Sequence, residues 1–387
     1  MLREVISLAA LAVAATTVVT GETIFRSALH DYRVVTVVDG LVQPWSIAFL
    51  PGGDALITER PGRLRILREG KLLPDPVEGV PKVFHSSQGG LLEVAAHPDF
   101  ATNRLIYLSY SKPGPTDEKA TTTLIRGRFD GTRLSDVQEL FVAATEGRNH
   151  FGGKIAFDGK GHLFLTLGDR QVLPEGDLTK HPAQDLSNHH GKVIRLHDDG
   201  RVPADNPFVG REGVRPEIWS YGHRNVQGLA IHPETGDVWT HEHGPQGGDE
   251  VNVTLPGRNY GWPVIGFGVM YRTGAAIHAG THHEGMEQPA HVWVPSIGPS
   301  GALFYTGDKF PHWRGNLFVG GLARHKLVRL TIDGRQVVDE EALVPRMGRI
   351  RDVRQGPDGY IYLVTENREG KPTPVLRLEP VERGPIR

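Results

Sequence analysis

The chain of 387 residues contains no cysteine. That absence excludes disulfide scaffolds, thiol nucleophiles, iron–sulfur clusters and thiolate zinc sites. It also lacks a dominant charge: 43 Lys+Arg stand against 45 Asp+Glu, a formal net charge of −2 at pH 7. Without a basic field, binding to nucleic acid through phosphate attraction is not expected. Long apolar runs are scarce as well. One run, residues 5–19, follows Arg3 and is broken only by Ser7, Thr16 and Thr17. It is shorter than the roughly 20 residues of a membrane span and matches the core of a secretion signal. Residues 1–22 are therefore expected to be a signal peptide or short anchor, giving a periplasmic or secreted protein with no transmembrane segment beyond them. A Walker A motif, a dinucleotide fingerprint, a G-x-S-x-G elbow and an H-E-x-x-H helix are all missing, so the commoner nucleotide, hydrolase and zinc chemistries have no carrier.

Glycine (48) and proline (28) are plentiful, as in a turn-rich β protein. They punctuate a pattern that recurs six times: a strand-like run, a Pro/Gly/Asp turn and a second strand-like run. The copies are SIAFLPGGDALITE (46–59), LEVAAHPDFATNRLIYLSY (92–110), KIAFDGKGHLFLTLGD (154–169), GLAIHPETGDVWTHEH (228–243), GALFYTGDKFPHWRGNLFVGG (301–321) and DVRQGPDGYIYLVTE (352–366). Each reads as a β-hairpin. Further strand-like pieces lie between copies, so each unit can hold four short strands. Such a unit cannot bury its own faces, whereas a ring of six can. The expectation is an all-β, six-bladed β-propeller of four-stranded blades in one domain over 33–380, with long insertions around 170–190 and 255–295.

A hairpin returns residues equidistant from its turn to the same end. His150 and Asp169 flank one turn equally, Asn225 and His243 another, and Arg351 and Glu366 a third. Gln88, Arg224 and Arg349 precede their first strands in the same way. All are expected at one end of the ring, where loops on a rigid scaffold carry function. His150 with Asp169 can act as a base and its orienting carboxylate, and pairing with the carboxylate should raise the imidazole pKa above its ordinary value. Arg224, Arg324, Arg349 and Arg351 form a cationic group suited to an anionic ligand.

The motifs SQGGLLEVAAHPDF (87–100), NHFGGKIAFD (149–158), SYGHRNVQGLAIHP (220–233), EHGPQGGDEVN (242–252), NYGWP (259–263) and RIRDV (349–353) occur in this order. Together they resemble the soluble quinoprotein glucose/sorbosone dehydrogenases, six-bladed propellers carrying pyrroloquinoline quinone (PQQ), and most closely their aldose sugar dehydrogenase branch. The resemblance implies oxidation of aldose sugars to lactones with PQQ and Ca2+, electrons passing to an external acceptor. It implies that His150 is the catalytic base, that Asp169 orients it, and that Gln88, Arg224 and Asn225 contact the reactive edge of the cofactor, Arg224 also stabilising developing charge. It implies that the carbonyls of Gly244 and Pro245 bind the calcium that polarises PQQ, and that Arg349 and Arg351 contact the PQQ carboxylates. Glu250 and Tyr260 match positions near a second, structural calcium. Three departures stand out. Ala323 followed by Arg324 stands where the family has a cofactor-binding lysine, so that one cationic contact is either lost or moved to Arg324; His243 replaces a glutamine before Gly244-Pro245, and Asn149 replaces an aspartate before His150. A calcium-dependent lactonase and a non-catalytic sugar- or protein-binding propeller are the competing readings. The lactonase calls for acidic and amide groups on the axis, whereas the converging group here is cationic.

Overall fold

The computed structural model describes residues 23–116, 118–344 and 347–382. The N-terminal segment expected to serve export lies outside them. The described residues form six antiparallel sheets, five of four strands and one of five. All six hairpin copies are found, and in every case they supply the two innermost strands of a sheet. The innermost strands are Pro44–Phe49, Leu91–Ala96, Ile155–Phe157, Val226–Ile231, Pro299–Phe304 and Arg349–Gln355. Each packs against the next and the last against the first, so the ring closes. The protein is a six-bladed β-propeller.

Burial explains why the hairpins were visible in sequence. The second strand of each blade is sandwiched between neighbouring blades, so strands such as Ala55–Glu59, Val238–Glu242 and Ile361–Glu366 are buried along their whole length. Strands buried on both faces read as near-continuous apolar runs. Outer strands such as Leu134–Val142 are largely exposed and carry charge. The core lies between blades: Leu56, Leu64 and Ile66 meet Val94, Ile106 and Leu108, and Trp313 and Phe318 meet Ile350, Leu363 and Leu376. Fully burying side chains of this size contributes about 1.5–3 kcal/mol each.

The five-stranded sheet joins the two ends of the chain. Its inner three strands, Arg349–Gln355, Ile361–Glu366 and Thr373–Val381, are C-terminal, and its outer two, Asp31–Leu41 and Ile24–Arg26, are N-terminal. Val34 pairs with Leu378 and Thr36 with Leu376. The sheet begins at Ile24, further toward the N-terminus than the expected boundary at 33. Both long insertions fall where expected: one links His162–Leu167 to Lys192–His197, the other Asp249–Val253 to His291–Trp293. No helix among the described residues is long and apolar enough to cross a membrane.

The inner strands also carry a buried ionic knot. Lys154 Nζ lies 3.0 Å from both Glu93 and Asp352, and it sits 4.2 Å from the centre of the Trp45 ring. Arg354 pairs with the same two carboxylates.

Candidate active site

Five of the six inner strands are interrupted near one end by a β-bulge. A bulge inserts one residue opposite none and re-aims its side chain. Trp45, Gln227 and Arg351 are such extra residues, and all three line one cavity of about 970 Å³. This volume is at the upper end of the ~300–1,000 Å³ usual for small-molecule sites. Its wall takes residues from all six blades, among them Gln88, His150, Arg224, Asn225, His243, Gly244, Pro245, Arg349 and Arg351. Gln88, His150, Arg224, Asn225, His243, Arg349 and Arg351 thus share the end of the ring at which their spacing from the turns placed them.

His150 and Asp169 meet as expected, Nδ1 to Oδ1 at 2.6 Å, both buried. A neutral imidazole bonded to a carboxylate carries its proton on Nδ1, which leaves the Nε2 lone pair available. Both oxygens of Asp169 are engaged: Oδ1 also accepts from the Gln171 N–H at 2.8 Å, and Oδ2 accepts from Trp262 Nε1 at 2.8 Å. Burial alone would raise its pKa, but His150, Arg224 and the Gln171 N–H hold it below the ordinary value. The imidazole behaves contrary to the expectation of a raised pKa. Desolvation of the buried ring comes first, and Arg224 and Arg170 add to it, so its pKa lies below the ordinary value despite Asp169. For a proton acceptor this is useful, because the ring stays unprotonated at neutral pH.

The wall opposite carries positive charge. Glu366 bridges Arg349 at 2.8 Å and Arg351 at 2.9 Å, and Arg351 also reaches Gln227 at 3.3 Å. Burial would raise the Glu366 carboxyl, yet the two guanidiniums bring it down to about 2. Arg60, which the sequence did not single out, stands close enough to be pushed down to about 10, by burial first and then by Arg351 and Arg349. Arg368 also lines the cavity, giving five arginines against the carboxylates of Asp249 and Glu366. Arg324 must be corrected. It occupies an exposed turn with φ 65° and does not line the cavity, where Leu322 and Ala323 stand instead.

Arg224 donates to the carbonyls of His243 at 3.1 Å and Gly244 at 2.7 Å and lies 5.2 Å from the Trp262 ring centre. His243 Nε2 bonds the Pro299 carbonyl at 2.7 Å, so that nitrogen carries the proton, and burial pushes the ring down to about 3. Glu250 and Tyr260 line a separate pocket of about 20 Å³ that shares Arg224, His243, Gly244 and Pro245 with the main wall. The Tyr260 hydroxyl is committed to the Val253 carbonyl and the Leu255 N–H. Glu250, paired in register with Glu242, is raised well above the usual carboxyl range by burial and by that neighbour. A cation beside it would relieve both.

Trp262 and Arg170 were also missed as functional residues. The first sat inside a quoted motif with no role, and the second is the residue after Asp169, which spacing from the turn does not distinguish.

The comparisons with known proteins agree with this geometry. The profile described as Glucose / Sorbosone dehydrogenase matches residues 41–377. The chain belongs to the glucose/sorbosone dehydrogenase family. Aldose sugar dehydrogenase YliI of Escherichia coli is 43% identical, the match covering 90% of this chain and 93% of that protein. The apo-form crystal structure of the soluble aldose sugar dehydrogenase from Escherichia coli matches with a TM-score of 0.84 at 42% identity, covering 90% of this chain and 100% of that one. The PQQ-bound aldose sugar dehydrogenase from Streptomyces coelicolor matches with a TM-score of 0.73 at 28% identity, covering 90% and 98%. Sugar dehydrogenases are thus among the relatives of this family member, and the one from Streptomyces coelicolor is a PQQ-bound form.

Proposed function

We propose that the protein oxidises aldose sugars at C1 to the corresponding lactones, using PQQ and Ca2+ and passing electrons to an external acceptor. The observation that carries this reading is a buried, carboxylate-oriented His150 facing an arginine-rich wall across one cavity. Arg349 and Arg351, with Arg60 beside them, would hold the carboxylates of PQQ, since charge-assisted bonds from guanidinium suit carboxylates. Gln88, Asn225 and Arg224 would line its reactive edge. When bound, PQQ supplies the two-electron oxidising capacity that this chain's own side chains lack. His150 Nε2 takes the proton of the C1 hydroxyl, and Asp169, held by Trp262 and Gln171, stabilises the imidazolium so formed.

Backbone oxygens suit Ca2+, and Gly244 and Pro245 offer two in succession. The Gly244 carbonyl accepts from Arg224 Nη1 at 2.7 Å and, at the longer distance of 3.5 Å, from the Tyr271 hydroxyl, the contact a cation would displace more readily. Among the described residues no cluster of three or more His, Asp or Glu is arranged to hold a metal. Calcium held by the Gly244 and Pro245 carbonyls would need further oxygen donors, which a carboxylated cofactor would supply. Titration calorimetry should detect weak or no Ca2+ binding there in cofactor-free protein and much tighter binding once PQQ is added.

The direct test is reconstitution. Purified protein with PQQ and Ca2+ should change the cofactor absorption spectrum, and adding an aldose should then reduce a dye acceptor. An unchanged spectrum, or loading without aldose-dependent dye reduction, would overturn the proposal.

A further inference from the structure

His150 sits outside the strand ladders, with φ 47°, a left-handed conformation that costs a side-chain-bearing residue free energy. Its backbone is held by two side chains. The N–H donates to Gln88 Oε1 at 3.0 Å, and the carbonyl accepts from Arg170 Nη1 at 2.6 Å. The same guanidinium donates through Nη2 to Thr122 Oγ1 at 2.7 Å, and Thr122 in turn donates to the Phe151 carbonyl at 2.7 Å. Its Cζ lies 5.0 Å from the centre of the Phe151 ring. Two consecutive carbonyls, 150 and 151, and one ring are thus fixed from a single buried cation. Arg170 is 7% exposed and does not line the cavity. It has no ion-pair partner among the described residues, since Asp169 spends its oxygens on His150, Gln171 and Trp262.

Burying an unpaired guanidinium is costly. Structure alone does not call for a cation here, because neutral donors could hold two carbonyls. What a cation adds is a fixed positive charge behind the imidazole, on the side away from the cavity.

We propose that Arg170 is a positioning residue for His150, fixing the left-handed backbone that presents the imidazole to the cavity and supplying the positive charge behind it. The inference rests on the reading of His150 as the base. The charged and titratable groups facing that ring are Asp169, Arg170, Arg224 and His243. Burial lowers the Arg170 pKa only to about 9, so it is cationic at neutral pH. Together with Arg224 it opposes a second positive charge on His150, against the pull of Asp169.

The test compares wild type, Arg170→Lys and Arg170→Met as full chains. Histidine Cε1–H resonances of cofactor-free protein, with His150 assigned by its loss in His150→Asn, report its protonation without sugar or PQQ. Arg170→Met should raise the His150 midpoint by about one pH unit, because removing a nearby cation favours the imidazolium. Arg170→Lys keeps the charge and should leave the midpoint near wild type. It loses the forked contact to two oxygens, so in loaded enzyme kcat should fall roughly 10–100-fold in both variants, with KM and PQQ affinity little changed. A wild-type midpoint in Arg170→Met overturns the electrostatic role, and a wild-type kcat in Arg170→Lys overturns the positioning role. A lowered Tm with neither change reduces Arg170 to a structural residue and overturns both. If Arg170→Met does not fold, Arg170→Lys decides through kcat. Failure of the dehydrogenase reading would appear separately, as wild-type protein that never reduces dye.

Discussion

Every hydrogen-bonding group of Asp169 has a donor, and this sets what its replacement does. In Asp169→Asn the amide NH2 must face either Trp262 Nε1–H or the Gln171 N–H and His150, so donor meets donor in either orientation. If the NH2 faces His150, the ring proton moves to Nε2 and the base is lost. Asp169→Asn should therefore lose activity on the scale of His150→Ala, roughly 10²–10⁴-fold in kcat for aldose-dependent dye reduction, the usual contribution of a positioned base. PQQ affinity should be little changed in His150→Ala, because the arginine wall is untouched. The pH profile follows from the lowered pKa of His150. Acid removes activity by protonating Nε2, so the acid limb of kcat/KM should lie below the ordinary histidine value of about 6.5. A limb above that value would contradict the balance of burial and arginines described for the ring.

The strand ends show why a glycine precedes the aspartate. A Cβ built on Gly168 would lie 2.1 Å from the His150 carbonyl oxygen and 2.8 Å from Asn225 Oδ1. Gly168→Ala must displace the loop that carries the base, so kcat should fall much further than Tm, as steady-state kinetics beside a thermal melt would show. The same elements mark what the sequence could reveal. Hairpins buried on both faces are written as paired apolar runs around Pro/Gly/Asp turns, and residues flanking those turns equally do share one end of the ring. A bulge adds a residue without changing composition or apolarity. Trp45 and Gln227, aimed into the cavity by bulges, were therefore invisible as wall residues, and Arg351 was placed by its spacing from the turn and by the family resemblance. Arg324 failed for a related reason: one residue along a tight turn decides between cavity and solvent, and spacing does not resolve it. The sign of the His150 shift depended on burial first and then on Arg224 and Arg170, none of which a pairing with Asp169 discloses.

Across the whole ring, Lys154, Glu93, Asp352 and Arg354 tie together inner strands of three blades beneath the cavity floor formed by Trp45 and Leu92. Removing one partner of a buried ion pair leaves the other charge uncompensated, at a cost of about 3–5 kcal/mol. Lys154→Met should lower Tm clearly and loosen PQQ binding through the floor, whereas Lys371→Met, on a solvent-exposed pair with Glu369, should change little. Differential scanning calorimetry of the two variants makes the comparison. Five blades are continuous in sequence, but the sixth is finished by Asp31–Leu41 pairing with Thr373–Val381. A chain emerging from its N-terminus therefore holds its first long strand without its inner neighbour until Thr373–Val381 has been made, and this edge is open to mispairing in the interval. Transferring the segment from Ile24 through Leu41 to follow Val381, by circular permutation, would convert the slowest contact to a local one. The permuted chain should refold faster than the native order while its site is unaltered, because the ring records which strands are neighbours and not which was made first.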